Sequence, residues 1–357
     1  MIALRLPIEI INIIISRIPE DDNSVAVPAN HLTARTLYAC LFVCKATLQT
    51  TERTLYRHCL YINSLWRLSA LNHSYSRYWT LHPIEDVARV RRNASTALYL
   101  APFPDDTIDN IEVVAGIEAL FKVLAPHLRR LIIDMPLRSH YPNEEGSGTV
   151  RIPLRRALLG LERIEEFVSV QDELYLSTLP EFPRSEPLVW LSWPNLKRLA
   201  LYNLDIDDEE IANLKAMPML QDLVLTRPDQ QWTEERHGLW LNLRRGGPRV
   251  TVINTYEQHE ELHRFTSDRT SAPGGGYSIG YLSVNANPPD NHAALKVCII
   301  DLRGDLVSRG SSVQEDYQLN SNTYEPARNS ATEAGSFTRE HALRGDLWYL
   351  GFGTPED

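Results

Sequence analysis

The sequence predicts an α/β chain: a small N-terminal helical module, then a curved, irregular array of strand-and-helix units, then a partly disordered C-terminal region. Three observations carry that expectation. An isoleucine-rich stretch, LRLPIEIINIIISRIP from Leu4 to Pro19, has apolar residues at helical spacing. A leucine pattern recurs between Ala97 and Leu225, with helix-forming segments between its copies. From Thr266 the chain turns rich in Gly, Ser, Asn and Pro.

At 357 residues, with 43% hydrophobic and 23% charged residues, the chain can bury a sizeable core, so wholesale disorder is not expected. A formal net charge of -10 argues against gripping a phosphate backbone, and no nucleic-acid partner is expected. Cys40, Cys44, Cys59 and Cys298 are too few and too irregularly placed for a disulfide framework, which fits a reducing compartment, cytoplasmic and/or nuclear. Arg5, Glu9, Asn12 and Arg17 interrupt the apolar N-terminus and no small-residue cleavage pattern follows, so neither a signal peptide nor a membrane partner is expected. The sequons at Asn72 and Asn93 then read as chance matches.

In the first stretch Pro7 suits an opening helical turn, Glu9 suits the positive end of the helix dipole, and Pro19 stops the helix. Ile10, Ile13, Ile14 and Ile18 make one apolar stripe; Ile11 and Ile15 widen it beyond what a single neighbour covers, so a second partner is expected. EDDNSVAVPANHL, Glu20 to Leu32, reads as a surface loop. Thr33 or Thr36 then caps a second helix running to Gln49, with Leu37, Cys40, Leu41, Cys44 and Leu48 on its apolar face. TERTLYRH makes a short third helix and CLYIN a strand.

The order LPIEI, an isoleucine-rich helix, LFVCK, and a helix ending in LYRH resembles an F-box, of the kind found in fungal F-box proteins with leucine-rich repeats. The resemblance covers about the first 60 residues, a small-module length. It implies a helical bundle that docks on the Skp-type adaptor, and through it a cullin, of ubiquitin ligases; Leu6, Pro7, Ile10, Ile14, Val43 and Cys44 would touch the adaptor. Ala46 and Thr47 stand where the family often has a tryptophan, and Tyr56 where it often has a second.

Residues 63–94 read as a helical connector, whose Trp66, Tyr75, Tyr78, Trp79, Arg91 and Arg92 stack on the array rather than on nucleic-acid bases. The array spans 95–265. Its fragments ALYL, LRRLII, IEEFVS, LKRLAL and LQDLVL align on Leu98, Leu131, Phe167, Leu199 and Leu223 at offsets of 33, 36, 32 and 24 residues. That pattern predicts a curved, irregular leucine-rich-repeat-like solenoid after the F-box-like bundle of residues 1–62, with strands alternating inward and outward. IEVVAGIEALFKVLAPH and DDEEIANLKAMP supply helices. The alternate positions Arg130, Ile132, Glu166, Val168, Arg198, Ala200, Asp222 and Val224 are expected to face an unknown target protein. RVTVINTYEQHEELHRF offers one more strand and a short helix. Residues 266–357 are read as linkers around one buried strand, LKVCIIDLRGDLV, and a closing strand, DLWYLGF.

No site chemistry competes with this reading. Asp205, Asp207, Asp208, Glu209 and Glu210 lack the glycine and spacing of a calcium loop and suit a helix start. Cys40 and Cys44 lie one turn apart with His58 and Cys59 beyond, yet on an apolar face where cysteine is a small hydrophobe, so no metal is assigned. Gly274, Gly275 and Gly276 lack the lysine of a phosphate loop, and no serine sits in GxSxG context. No cofactor is expected, and the chain is read as a non-enzyme: a substrate-receptor subunit, or a scaffold with an F-box-like bundle and no ligase coupling.

Overall fold

Pro7 sets where the first helix begins. Its extended backbone (ψ 144°) leads into α1 (Ile8–Arg17), and its carbonyl accepts from Ile10 N at 3.1 Å and Ile11 N at 3.2 Å. The computed structural model of the chain describes residues 6–19, 25–81, 97–104, 107–179, 186–204, 206–228, 247–254, 266–271, 278–282, 298–301 and 325–350. The chain divides into two compact units. One holds Met1–Val168, Leu174–Leu196 and Ala342–Gly345; the other holds Ser169–Glu173, Lys197–His341 and Asp346–Asp357.

In the first unit, α2 (Leu32–Cys40) is capped by His31, whose ring nitrogen accepts from Thr33 N at 3.3 Å, rather than by a threonine. The expected single helix to Gln49 breaks at a tight turn over Leu41–Val43, and α3 (Lys45–His58) absorbs both its end and TERTLYRH. The Thr47 hydroxyl sits against the carbonyls of Cys40 at 3.3 Å and Cys44 at 2.9 Å; the first contact, seven residues back, bridges the turn and has no counterpart in a continuous helix. Both α1 and α2 pack against α3. Val25, Ala26 and Val27 of the expected surface loop are buried: Val27 N donates to His58 O at 2.7 Å and Val25 N to Leu343 O at 2.9 Å.

Strand β1 (Tyr61–Ile62), helix α4 (Leu65–Leu81), strand β2 (Ala97–Leu100), helix α5 (Ile111–Leu124), strand β3 (Arg130–Ile133), helix α6 (Ser147–Leu159) and strand β4 (Glu166–Ser169) follow. Strands β1 to β4 lie side by side in chain order, with β1–β2 and β2–β3 parallel. Asn110 caps α5 by accepting from Glu112 N and Val113 N, and the helix buries Val113, Val114, Ile117, Leu120, Phe121 and Leu124. Gly116 lets α4 approach: a Cβ there would lie 2.9 Å from Leu68 Cδ2. Trp193, buried against Phe167 at 4.9 Å between ring centroids, donates its indole N–H to Leu158 O at 3.0 Å.

In the second unit, β5 (Arg198–Tyr202), α7 (Asp208–Ala216), β6 (Asp222–Thr226) and β7 (Arg249–Asn254) precede β8 (Thr266–Ser271), β9 (Ser278–Leu282), β10 (Cys298–Asp301) and α8 (Glu325–Arg344), whose last residues from Ala342 belong to the first unit. The strand order is β5-β6-β7-β10-β9-β8; β5, β6, β7 and β10 are parallel, while β9 and β8 run antiparallel. α7 opens on a complete capping box, Asp207 accepting from Glu209 N and Glu210 N and Glu210 reaching back to Asp207 N.

The α/β class stands, but the curved leucine-rich-repeat-like solenoid with a disordered tail does not. Among the described residues, each unit sets parallel strands with helices between them, an α/β arrangement that is not plainly a solenoid. The connections explain why. A 14-residue helix joins β2 to β3 and a 3-10 turn plus a 13-residue helix joins β3 to β4, whereas β5 and β6 are joined by nine helical residues. Unlike units do not set the constant rotation a solenoid needs. Stretches expected as linkers hold β8, β9 and most of α8, and LWY of the expected closing strand is a 3-10 turn, Leu347–Tyr349. LKVCIIDLRGDLV does contain a strand, β10. The helix expected after β7 lies outside the described residues.

Candidate docking site

The first three helices bury Ile15, Ala34 and Leu37 but leave many of their other apolar side chains in solvent. Among the described residues, Ile15 is the sole fully buried side chain of α1, whereas Leu6, Ile10, Ile13 and Ile14 are 59%, 42%, 57% and 51% exposed. Around the α2–α3 turn, Phe42 is 86% and Val43 68% exposed, and Leu32, Tyr38 and Leu48 are also open. Pro7 and Cys44 are exposed too, so all six expected adaptor contacts, Leu6, Pro7, Ile10, Ile14, Val43 and Cys44, lie at the surface of one three-helix module. The sequence reading missed Phe42, Ile13, Leu32 and Tyr38 for this surface; Phe42 lies inside the quoted LFVCK and was the available signal. Exposed apolar clustering of this kind marks interaction sites in soluble chains.

Electrostatics there is simple. Cys44, at the N-cap of α3, contacts Thr47 Oγ1 at 3.7 Å; that hydroxyl, with the N–H groups of Thr47 and Ala46, holds its thiol below the usual range. Cys59, by contrast, is pushed up to about 12 by burial. Cys40 is half-buried. Among the described residues no three His, Cys, Asp or Glu side chains converge as a metal site, and no helix is long and apolar enough to cross a membrane.

The expected target-facing positions meet a different fate. Arg198 and Asp222, and Asp222 and Arg249, are register partners on β5, β6 and β7. Asp222 lies between the two arginines, 3.4 Å from Arg198 Nε and 2.6 Å from Arg249 Nε, and is buried. Ala200 and Val224, two residues along each strand, share that face and are also buried. In the first unit Arg130 and Glu166 are half-buried at the starts of β3 and β4, and Ile132 is buried, as is Val168. Of the eight, only Arg130, Glu166 and Arg198 reach solvent in part.

Residues near the C-terminal end of the sequence meet β5 and β6 at two points on that face. Thr338 of α8 shares a 2.8 Å hydrogen bond with Thr226 at the end of β6, both side chains fully buried. Gly335 lies against the Val170 carbonyl, 3.3 Å from where a Cβ would stand. Tyr349 Oη is 3.3 Å from Arg198 Nη2, and the guanidinium lies 5.5 Å from the Tyr349 ring centre. The hydroxyl and the apolar residues between Leu199, Leu201, Leu223 and Leu225 were the legible signal: LALY and LVLT are near-continuous apolar runs, which suit a parallel sheet buried on both faces.

One spacing qualifies the expectation that the chain carries no catalytic motif. His259, Glu260 and His263 read His-Glu-x-x-His, the arrangement that places two zinc ligands one helical turn apart. These residues lie outside the described ones. No family model matches the sequence, and neither the curated proteins nor the solved structures hold a match.

Proposed function

We propose that this chain is the substrate-receptor subunit of a cullin-based ubiquitin ligase. It would hold a Skp-type adaptor on α1–α3 and recruit a target protein elsewhere on its surface. The observation that supports this is the open apolar surface from Leu6 to Leu48 on helices otherwise packed through α3. Leu6, Pro7, Ile10, Ile14, Val43 and Cys44, joined by Phe42, are the contacts. The receptor makes and breaks no bond itself; it raises the local concentration of target lysines near a conjugating enzyme held by the complex. It works in the cytoplasm and/or nucleus, without cofactor, membrane or nucleic-acid partner.

Capture of a purified Skp-type adaptor by the full chain tests the reading. Ile14→Asp with Phe42→Asp is expected to weaken capture at least ~100-fold, two central interface side chains being worth roughly 3 kcal/mol together. Both are exposed in the chain alone, so unfolding midpoints should hold. Adaptor capture that the double variant leaves intact, or wild-type chain that retains no adaptor, sinks the ligase reading and leaves a protein-interaction scaffold.

A further inference from the structure

Charge is distributed unevenly along this acidic chain. Between Asp22 and Glu85 the sequence holds Arg35, Lys45, Arg53, Arg57, Arg67 and Arg77 and a single acidic residue, Glu52. Six cations less one anion give that stretch +5, which leaves -15 for the rest of a chain whose formal net charge is -10. The stretch runs through α2, α3 and α4, so the α2–α3 side of the apolar docking surface sits in a strongly positive part of the sequence.

Two of these cations border the apolar side chains directly. Arg35 lies between Leu32 and Tyr38 on α2, three residues from each and so their neighbour on the helix surface. Lys45 opens α3 straight after Phe42, Val43 and Cys44, with Leu48 three residues on. All of these side chains are exposed, and among the described residues neither Arg35 nor Lys45 holds an ion pair. On α1, by contrast, Glu9 and Arg17 cancel. Aromatic and aliphatic groups between two unneutralised cations are complementary to apolar groups set between carboxylates, and they repel a cationic partner. An anionic membrane is the poorer fit, because two cations hold a chain at such a surface only weakly and stable anchoring takes a second signal.

We infer that the partner element seated on the α2–α3 turn is an acidic amphipathic segment, with apolar side chains against Tyr38, Phe42 and Val43 and carboxylates beside Arg35 and Lys45. That the adaptor is the protein carrying the segment rests on the receptor reading; the chemistry of the segment does not. Its carboxylates govern the rate of encounter and its apolar groups the lifetime of the complex, so association weakens as salt screens the two cations.

A fluorescent amphipathic helical peptide, leucine on one face and glutamate on the other, tests this on the full chain by anisotropy. At about 0.05 M ionic strength it is expected to bind at least about 10-fold more tightly than the same peptide with lysine for glutamate, and about 0.5 M should remove most of that difference. Phe42→Ala and Lys45→Glu should each weaken it about 5-fold or more. Lys122→Glu, the same charge change at an exposed position of α5, should leave it unaltered. Glutamate suits the first turn of α3, so Lys45→Glu keeps the fold. Equal binding of both peptides, binding of neither, an equal loss in Lys122→Glu, or displacement of the acidic peptide by phosphatidylserine vesicles overturns the inference. Capture of a purified Skp-type adaptor reports separately. A wild-type chain that binds the acidic peptide as expected but retains no adaptor removes the receptor reading and leaves the surface. An adaptor held equally by wild type and Lys45→Glu at low salt keeps the receptor reading and overturns the acidic segment.

Discussion

Arg151 is the largest charged side chain buried in the first unit, and replacing it with methionine isolates what it holds. It sits on α6 at 1% exposure and donates to four carbonyls: Nε to Ser177 at 2.6 Å, Nη1 to Leu137 at 3.1 Å and His140 at 2.6 Å, and Nη2 to Tyr175 at 2.7 Å. Its guanidinium also lies 4.9 Å from the Tyr175 ring centre. Those carbonyls belong to the 3-10 turn at 137–140 and to residues 175–177, neither of which has a strand ladder, so the guanidinium fork ties both to α6, with Arg155 adding a longer bond to Leu176 O at 3.4 Å. The Ser177 and Leu137 bonds are fully buried, and each stranded acceptor costs about 1–3 kcal/mol; the half-exposed pair can rehydrate for less. Methionine fills much of the volume and relieves the desolvation of a charge, offsetting part of the loss. The net expectation is about 3 kcal/mol, or roughly 6–12 °C in the midpoint of a unit this size. Lysine does not rescue, because a single ammonium cannot span four divergent acceptors. Urea titration followed by near-ultraviolet dichroism, fitted with one transition per unit, measures it. A loss below about 1 kcal/mol for methionine, or full rescue by lysine, would refute the fork argument.

Two further outcomes can be checked directly. Glu210, with desolvation acting first and the neighbouring Asp207 second, is raised to about 7 from 4.5 in its capping box. Because the folded chain holds that proton more tightly than the unfolded one, its contribution is full below about pH 4.5 and is lost as pH rises through about 7. Glu210 is partly exposed and screening reduces the effect to about 1 kcal/mol or less; Glu210→Gln should flatten the stability slope across that window, and an unchanged slope counts against the assignment. For the His259 and His263 pair, the receptor reading expects purified chain without stoichiometric zinc and unchanged adaptor capture in the His259→Ala, His263→Ala double variant. One equivalent of zinc in the wild type, lost in that variant, would instead establish a metal site there.

The sequence by itself determined the local elements. Pro7, the isoleucine spacing and Pro19 are enough to bound α1, as Asn110 and its following apolar stripe are for α5 and the Asp207–Glu210 box is for α7, because caps and 3.6-residue periodicity act within a few residues. The leucine recurrence likewise placed β2 to β6, and the wide apolar surface of α1 foretold that it would stay partly uncovered. Where the chain turns inside an apolar-periodic run, as over Leu41–Val43 in the expected second helix, the pattern misled. What only the tertiary structure decided is which faces remain open. Periodicity assigns Ala200, Asp222 and Val224 to the side of the sheet opposite the leucines, but not what lies over it, since burial is settled by segments distant in the chain. One such segment reaches β6 from 112 residues further along the chain, where Thr338 shares a buried hydrogen bond with Thr226.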